Sequence, residues 1–202
     1  MITLYHCKGA RSLRAVWALE EMGLEYELIT MPFPPRVFHK EYKQENPLGT
    51  IPLLVDGEAR ITESAGCCQY LAAKYGPTDL EVRVDEPGYG DYINWLHRSD
   101  ATLTFPQTLV LRYTALEPEE RRQPQVAEDY KGWFLARLRS VESWAEDNDY
   151  MAGGRFTMAD IAVGYALFLA KDLKIEEAFT PNIQRWWDRI TDRPAYQRIK
   201  DA

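Results

Sequence analysis

The stretch NPLGTIPLL, from Asn46 to Leu54, contains the residues with the clearest binding chemistry. Pro52 opens an apolar run typical of a buried strand, yet proline lacks the N–H that a sheet ladder needs. If the Ile51–Pro52 bond is cis, the backbone N–H and C=O of Ile51 face outward with no neighbouring strand. Such an edge can bind a peptide-like ligand as an added strand. The alternative is a trans proline that only starts an edge strand, and the local sequence does not distinguish the two.

The cysteines and one acidic residue are weaker candidates for chemistry. Cys7, Cys67 and Cys68 form neither a CxxC pair nor a metal-ligand spacing, and their odd number does not favour a disulfide framework. In FTMADI, Thr157 is placed to cap a helix, and Asp160 can accept a hydrogen bond from the N–H of the cap residue. The sequence therefore predicts no metal site and a structural role for Asp160.

Composition narrows the classes of protein. The chain has 202 residues, of which 46% are hydrophobic, so it can bury the core of one large domain or two small ones. Its net charge of -7 argues against a nucleic-acid binder. No apolar run approaches the roughly 18 to 20 residues that span a bilayer, and the N-terminus lacks an apolar signal segment. We therefore expect a soluble cytoplasmic protein with no nucleic-acid or membrane partner.

The elements that position these residues change in character near residue 76. Before it, strand and helix patterns alternate in the order β-α-β, followed by a β-hairpin and a helix. The predicted elements are strand 2–5, a helix in SLRAVWALEEMG, strand 26–31, strands in IPLLV and ARIT around the turn Asp56-Gly57, and a helix in SAGCCQYLAAKYG that ends at Gly76-Pro77.

The remainder of the chain is predicted to be helical. The segment after Gly76 is acidic and rich in proline and glycine, which favours a surface linker. Later apolar residues recur at helical spacing, and Pro106 is expected to kink or end its helix. We therefore predict three parts: a first domain at 1–76, a linker at 77–90 and an all-helical domain at 91–202.

This order of elements, with a proline opening the hairpin, resembles the thioredoxin-like half of cytosolic glutathione S-transferases. NPLGTIPLL with TESAG about a dozen residues later resembles the glutathione-site signature of that family, and FTMADIAVG resembles the capping motif of its second domain. The resemblance covers the whole chain. It implies an α/β plus all-α fold, with an N-terminal thioredoxin-like βαβ-ββα domain and a C-terminal helical bundle. It also implies a cytoplasmic, homodimeric detoxification enzyme that uses glutathione as co-substrate.

The resemblance assigns roles in glutathione binding to five residues. Ile51 would hold the cysteinyl backbone, and Pro52 would be the cis proline that shapes the turn. Glu63 and Ser64 match the family's acidic-Ser pair at the start of a helix, where the helix N-terminus and the hydroxyl suit the γ-glutamyl carboxylate. Glu63 would face the ligand's ammonium group and Lys40 its glycyl carboxylate. Ser64 could instead be a plain helix cap, a role compatible with binding.

The resemblance also suggests how the thiol is activated. Ser12 lies where serine-type members place their hydroxyl, while Arg11 lies near the position of a cysteine in one bacterial class. Because that cysteine is absent, mixed-disulfide chemistry is disfavoured. Ser12 is the first candidate to stabilise the thiolate and Arg11 the second. The alternative is that Ser12 only caps the first helix.

A second substrate is expected in a pocket lined by Trp95, Thr102 and Phe105, near Pro106. Apolar walls with few polar groups suit a hydrophobic electrophile. Two other functions stay open, since a fold does not fix a reaction. One is a glutathione-dependent reductase, lyase or isomerase, and the other is a non-catalytic glutathione-binding interaction protein.

Overall fold

Short strands form a mixed sheet in the N-terminal part of the chain, in a computed structural model that describes residues 1–201. The spatial order is β2-β1-β3-β4. Strands β1 and β2 are parallel, whereas β1 with β3 and β3 with β4 are antiparallel. The strands are β1 (Ile2–His6), β2 (Tyr26–Thr30), β3 (Leu53–Asp56) and β4 (Ala59–Ile61).

Helix α1 (Leu13–Met22) connects the two parallel strands. Every residue from Leu13 to Leu19 is buried, including Arg14. The helix ends at Gly23, whose φ of 62° is the left-handed conformation that glycine adopts without a Cβ clash. The predicted helix is therefore confirmed, but it is buried on more sides than an amphipathic pattern requires.

Two four-residue helices between β2 and β3 were not predicted, because one helical turn is too short to show an apolar period. These two helices directly precede the turn that contains the Ile51–Pro52 bond. The first unit then continues through β3 and β4 into a longer helix that was predicted. These helices are α2 (Pro35–Phe38), α3 (Tyr42–Glu45) and α4 (Ser64–Tyr75).

The chain forms two compact units, whose limits differ from the boundaries predicted at 76 and 91. The first unit contains residues 1–81 together with the segment from Thr191 onward, and the second contains 82–190. Helix α10 (Pro194–Ile199) packs on α1, where the ring centroids of Tyr196 and Trp17 lie 4.6 Å apart. The C-terminal segment, which we expected in the helical domain, therefore belongs with the first unit; Ala202 lies outside the described residues.

The second unit is helical, as predicted. Its first long helical segment changes from α to π geometry at Ser99 and returns to α geometry at Phe105. Pro106 follows directly, and its missing N–H interrupts the usual hydrogen-bond ladder. The elements that begin in this unit are α5 (Tyr89–Arg98), a π-helical turn (Ser99–Thr104), α6 (Phe105–Leu111), a second π-helical turn (Arg112–Leu116), 3-10 turns (Glu119–Arg121 and Glu176–Ala178), α7 (Pro124–Asp147), α8 (Met158–Asp172) and α9 (Pro181–Thr191).

The structural role predicted for Asp160 is confirmed. Thr157 caps α8, and the Asp160 carboxylate accepts a hydrogen bond from the Thr157 N–H at 2.9 Å. It also accepts hydrogen bonds from the Met151 N–H at 2.9 Å and from the Trp186 indole at 3.1 Å. Burial raises the pKa of Asp160 to about 6, although these hydrogen bonds lower it. Within residues 1–201, no helix combines the length and apolar character needed to cross a membrane.

Candidate functional site

One edge of the sheet collects the segments predicted to bind a ligand. Because β3 is antiparallel to β1, its first residue, Leu53, pairs with Tyr5 near the C-terminal end of β1. The following strand returns in the opposite direction, with Ile61 paired to Leu54, and the chain then enters α4. The starts of β3 and α4 and the loop from β1 to α1 therefore lie at the same edge.

The Ile51–Pro52 peptide bond is cis, which settles the alternative that the sequence left open. Ile51 is half-buried and Pro52 is buried. The preceding turn is anchored at Thr50, whose C=O accepts hydrogen bonds from the Tyr42 hydroxyl at 2.8 Å and the Asn46 side-chain amide at 2.9 Å. The turn before β3 is therefore fixed by two side chains, that of Tyr42 in α3 and that of Asn46 directly after α3.

The start of α4 holds a buried hydroxyl backed by a buried charge. Glu63, which is exposed, occupies the cap position, so Ser64 is the first residue of the helix and is not its cap. The Ser64 Oγ accepts a hydrogen bond from Nη1 of Arg14 at 2.8 Å. The first N–H groups of a helix have no acceptor within it. This end of α4 therefore combines backbone donors, a hydroxyl and a guanidinium, all of which favour an anion.

The comparison with known families agrees with this arrangement. The sequence model of the glutathione S-transferase N-terminal domain matches residues 1–73, and that of the C-terminal domain matches residues 107–194. The chain belongs to the glutathione S-transferase family. The thioredoxin-like sheet and the helical second unit are the fold expected of a member.

Individual relatives resemble this family member over nearly its full length. Glutathione S-transferase 3 of Zea mays is 30% identical, with 94% of this chain and 88% of the relative aligned. Glutathione S-transferase 3 of Schizosaccharomyces pombe is 29% identical, with 96% and 85% aligned. The crystal structure of glutathione transferase URE2P6 from Phanerochaete chrysosporium, in complex with oxidized glutathione, superimposes with a TM-score of 0.86 at 25% identity, covering 98% of this chain and 94% of that one.

Ser12, the first candidate for thiol activation, is completely buried in this family member, with 0% exposure. Its Oγ lies 2.8 Å from Nδ1 of His6 and accepts a hydrogen bond from the Cys7 N–H at 3.3 Å. Ser12 occupies the cap position of α1, but its hydroxyl makes no capping hydrogen bond. The hydroxyl therefore ties α1 to the end of β1 and does not serve as the cap of the helix.

The loop after β1 also carries cationic side chains that solvent reaches. Lys8 is exposed and Arg11 is half-buried, while Cys7 between β1 and this loop is completely buried. Burial raises the pKa of the Cys7 thiol to about 11, so this thiol is not activated. Lys40 is exposed in the connection between α2 and α3. No cluster of three or more His, Cys, Asp or Glu in residues 1–201 is arranged to hold a metal ion.

The residues expected to line a second-substrate pocket differ in their environments. Trp95 is buried in the helical unit, edge-on to Trp144 at 5.7 Å between ring centroids, which makes it a core residue. Thr102 is half-buried in the π-helical turn. Phe105 is 49% exposed and lies edge-on to Tyr130. Of the three, only Thr102 and Phe105 are accessible to a ligand.

The sequence pattern did not reveal two polar residues of the first unit, Arg14 and His6. A signal for Arg14 existed, since it is the one charged residue in the apolar run from Leu13 to Leu19. His6 continues the alternation of Ile2 and Leu4, the buried positions of β1. A charged or titratable residue in phase with a buried pattern is therefore a useful pointer to a polar contact inside the fold.

The buried imidazole of His6 predicts a pH dependence of stability. Burial lowers its pKa from 6.5 to about 4, so stability from the neutral ring is fully present above pH 6.5 and is lost as the pH falls toward 4. We expect His6→Asn to reduce the loss in free energy of unfolding between pH 7 and pH 4 by about 2 kcal/mol. Urea unfolding at pH 7 and at pH 4 measures the free energy of unfolding. His39→Asn, at an exposed position, is the control. Equal acid sensitivity in wild type and His6→Asn would contradict the prediction.

Proposed function

We propose that the protein is a glutathione transferase that binds glutathione at the sheet edge formed by β3, α4 and the loop after β1. The observation that carries the proposal is the start of α4, where Arg14 donates a hydrogen bond to Ser64, at the same edge of the sheet as the Ile51–Pro52 turn. Membership of the family and the bound oxidized glutathione of the fungal relative support it. A glutathione-dependent reductase, lyase or isomerase, or a non-catalytic binding protein, would bind glutathione at the same site.

The proposed contacts divide glutathione into three parts. The backbone of Ile51 lies just before the β1–β3 ladder and would pair with the cysteinyl residue. The N-terminus of α4 and the Ser64 hydroxyl would receive the γ-glutamyl carboxylate, and the exposed Glu63 would face the ammonium group. Lys40 would interact with the glycyl carboxylate at the other end of the ligand.

For activation of the thiol, we propose Arg11 as first candidate and Ser12 as second, the reverse of the order expected from the sequence. A free thiol ionises near pH 8.5, so roughly a few per cent is thiolate at neutral pH. A nearby guanidinium lowers that pKa by stabilising the anion, whereas the Ser12 hydroxyl is buried against His6. The thiolate sulfur would then form a bond to an electrophilic carbon, and the leaving group would depart with its electron pair.

Conjugation is favoured over disulfide exchange through a protein thiol. Cys7, Cys67 and Cys68 are all buried. Burial raises the pKa of each, so none has the properties of a reactive thiolate. For a hydrophobic second substrate, we propose contacts with Thr102 and Phe105, because both side chains are accessible.

Glutathione binding tests the proposal directly. Calorimetric titration should show that the wild type binds both glutathione and S-methylglutathione. Ser64→Ala should weaken both by about tenfold, because a hydrogen bond to the carboxylate is lost. Ser140→Ala, in the helical unit, is the matched control and should leave both affinities unchanged. If the wild type binds neither ligand, the transferase proposal is wrong.

Substitution of Arg11 tests the assignment of the thiol-activating group. We expect Arg11→Met to raise the pKa of the thiol of bound glutathione and to lower kcat/KM with a panel of hydrophobic electrophiles by about tenfold. The ultraviolet absorbance of the thiolate, recorded as a function of pH, measures that pKa. Lys8→Met, in the same loop, is the control for loss of one positive charge. An unchanged thiol pKa in Arg11→Met together with a raised pKa in Ser12→Ala would return the role to Ser12.

We also propose a cytoplasmic homodimer, as the family resemblance implies. An exposed aromatic pair supports a protein contact, since Trp133 is 46% exposed and its ring stacks on that of Tyr130. Sedimentation should give twice the mass of the chain, and Trp133→Glu should shift it toward the monomer. Arg139→Ala, exposed on the same helix, is the control. A monomeric wild type at micromolar concentration would refute the proposal.

A further inference from the structure

A buried guanidinium lies directly behind the start of α4. Arg14 has 0% exposure, and its Nη1 donates a hydrogen bond to the Ser64 Oγ at 2.8 Å. Its backbone C=O accepts a hydrogen bond from the Cys68 thiol, also on α4, at 3.5 Å. Arg14 thus contacts α4 through both its side chain and its backbone, so its position relative to the helix start is fixed.

The hydrogen bond from Arg14 determines how Ser64 can act. A serine hydroxyl has one proton to donate and an oxygen that accepts. With the guanidinium donating to that oxygen, the proton is directed away from Arg14 and stays available for an acceptor at the helix start. Ser64 has 3% exposure, so few other partners compete for its proton. The bond therefore orients the hydroxyl as a donor.

The charge of Arg14 adds to this effect. A buried charge is screened by salt much less than an exposed one, so its field acts at the start of α4. The helix dipole contributes a partial positive charge at the same place. An anion bound there interacts with the guanidinium, the Ser64 hydroxyl and the helix N-terminus. A neutral acceptor gains less from these groups, and a cation is repelled.

We propose that Arg14 is a positioning residue that, acting through Ser64, sets the selectivity of this site for the α-carboxylate of a γ-glutamyl ligand. The inference rests on the proposed function. Arg14 does not touch the ligand in this assignment; Ser64 and the backbone of α4 do. The hydrogen bond spans 50 residues of sequence, so the local pattern of Arg14 can indicate a polar contact inside the fold but cannot identify Ser64 as the partner.

Two ligands separate this role from a merely structural one. S-methylglutathione carries the carboxylate, and its analogue with 4-aminobutyrate in place of the γ-glutamyl residue lacks only that group. In calorimetric titrations the wild type should prefer S-methylglutathione. Arg14→Met should reduce the ratio of the two affinities by about tenfold, and Arg14→Lys, which keeps the charge, should reduce it less.

Arg193→Met is the matched control. The Arg193 guanidinium donates two hydrogen bonds, at 2.7 and 2.8 Å, to Glu21 of α1, the helix that carries Arg14, so its loss perturbs the same helix. The ratio of affinities should stay unchanged in this variant. An equal loss of affinity for both ligands in Arg14→Met, or no loss at all, would overturn the inference.

A second measurement covers the case in which Arg14→Met does not fold. Arg14→Lys, Ser64→Ala and the double variant form a cycle, and we expect the losses in the affinity ratio to be clearly less than additive, because both act on one hydroxyl. Additive losses would refute action through Ser64. A wild type that binds neither ligand would refute the proposed function itself, whereas normal binding with an unchanged ratio in the Arg14 variants refutes only this inference.

Discussion

The antiparallel pairing of β3 with β1 places Leu53 opposite Tyr5, and the geometry of the candidate site depends on this pairing. It sets the Ile51–Pro52 turn beside the end of β1. Since β4 then runs back along β3, the start of α4 reaches the same edge. Three segments far apart in sequence therefore supply a backbone edge, a helix N-terminus and a cation-bearing loop to one place, which is what a short, charged peptide requires.

Behind that edge, the first unit carries polar groups in its interior. Ser12 pairs with His6, and Arg14 pairs with Ser64, so the first residues of α1 are joined both to the sheet and to α4. Buried polar groups are costly unless they are hydrogen-bonded. These contacts make the orientation of α1 sensitive to its polar partners, and they place the positive charge of Arg14 at the start of α4 without exposing it to solvent.

The C-terminal segment also contacts α1 and belongs to the first unit. Tyr196 packs against Trp17, and Arg193 and Arg198 form ion pairs with Glu21 and Glu20 of α1. After β4 and α4 the chain forms the helical unit, and its last helix, α10, then packs on α1 of the first unit. A helical pattern near the C-terminus cannot show this return, because the same pattern packs equally well against any apolar neighbour.

The sequence by itself determined the features that depend on neighbours along the chain. The order of strands and helices follows from their periods, the cap of α8 from Thr157 and Asp160 three residues apart, and the family from motifs such as NPLGTIPLL. The tertiary structure decided which side chains are accessible. The sequence predicted Ser12 as a thiolate donor or a helix cap, and folding buries its hydroxyl against His6. It predicted Trp95 as a pocket residue, and folding buries that ring against Trp144. The physical reason is that a cap or a period involves residues a few positions apart, whereas the burial and hydrogen bonding of a side chain depend on elements that only folding brings together.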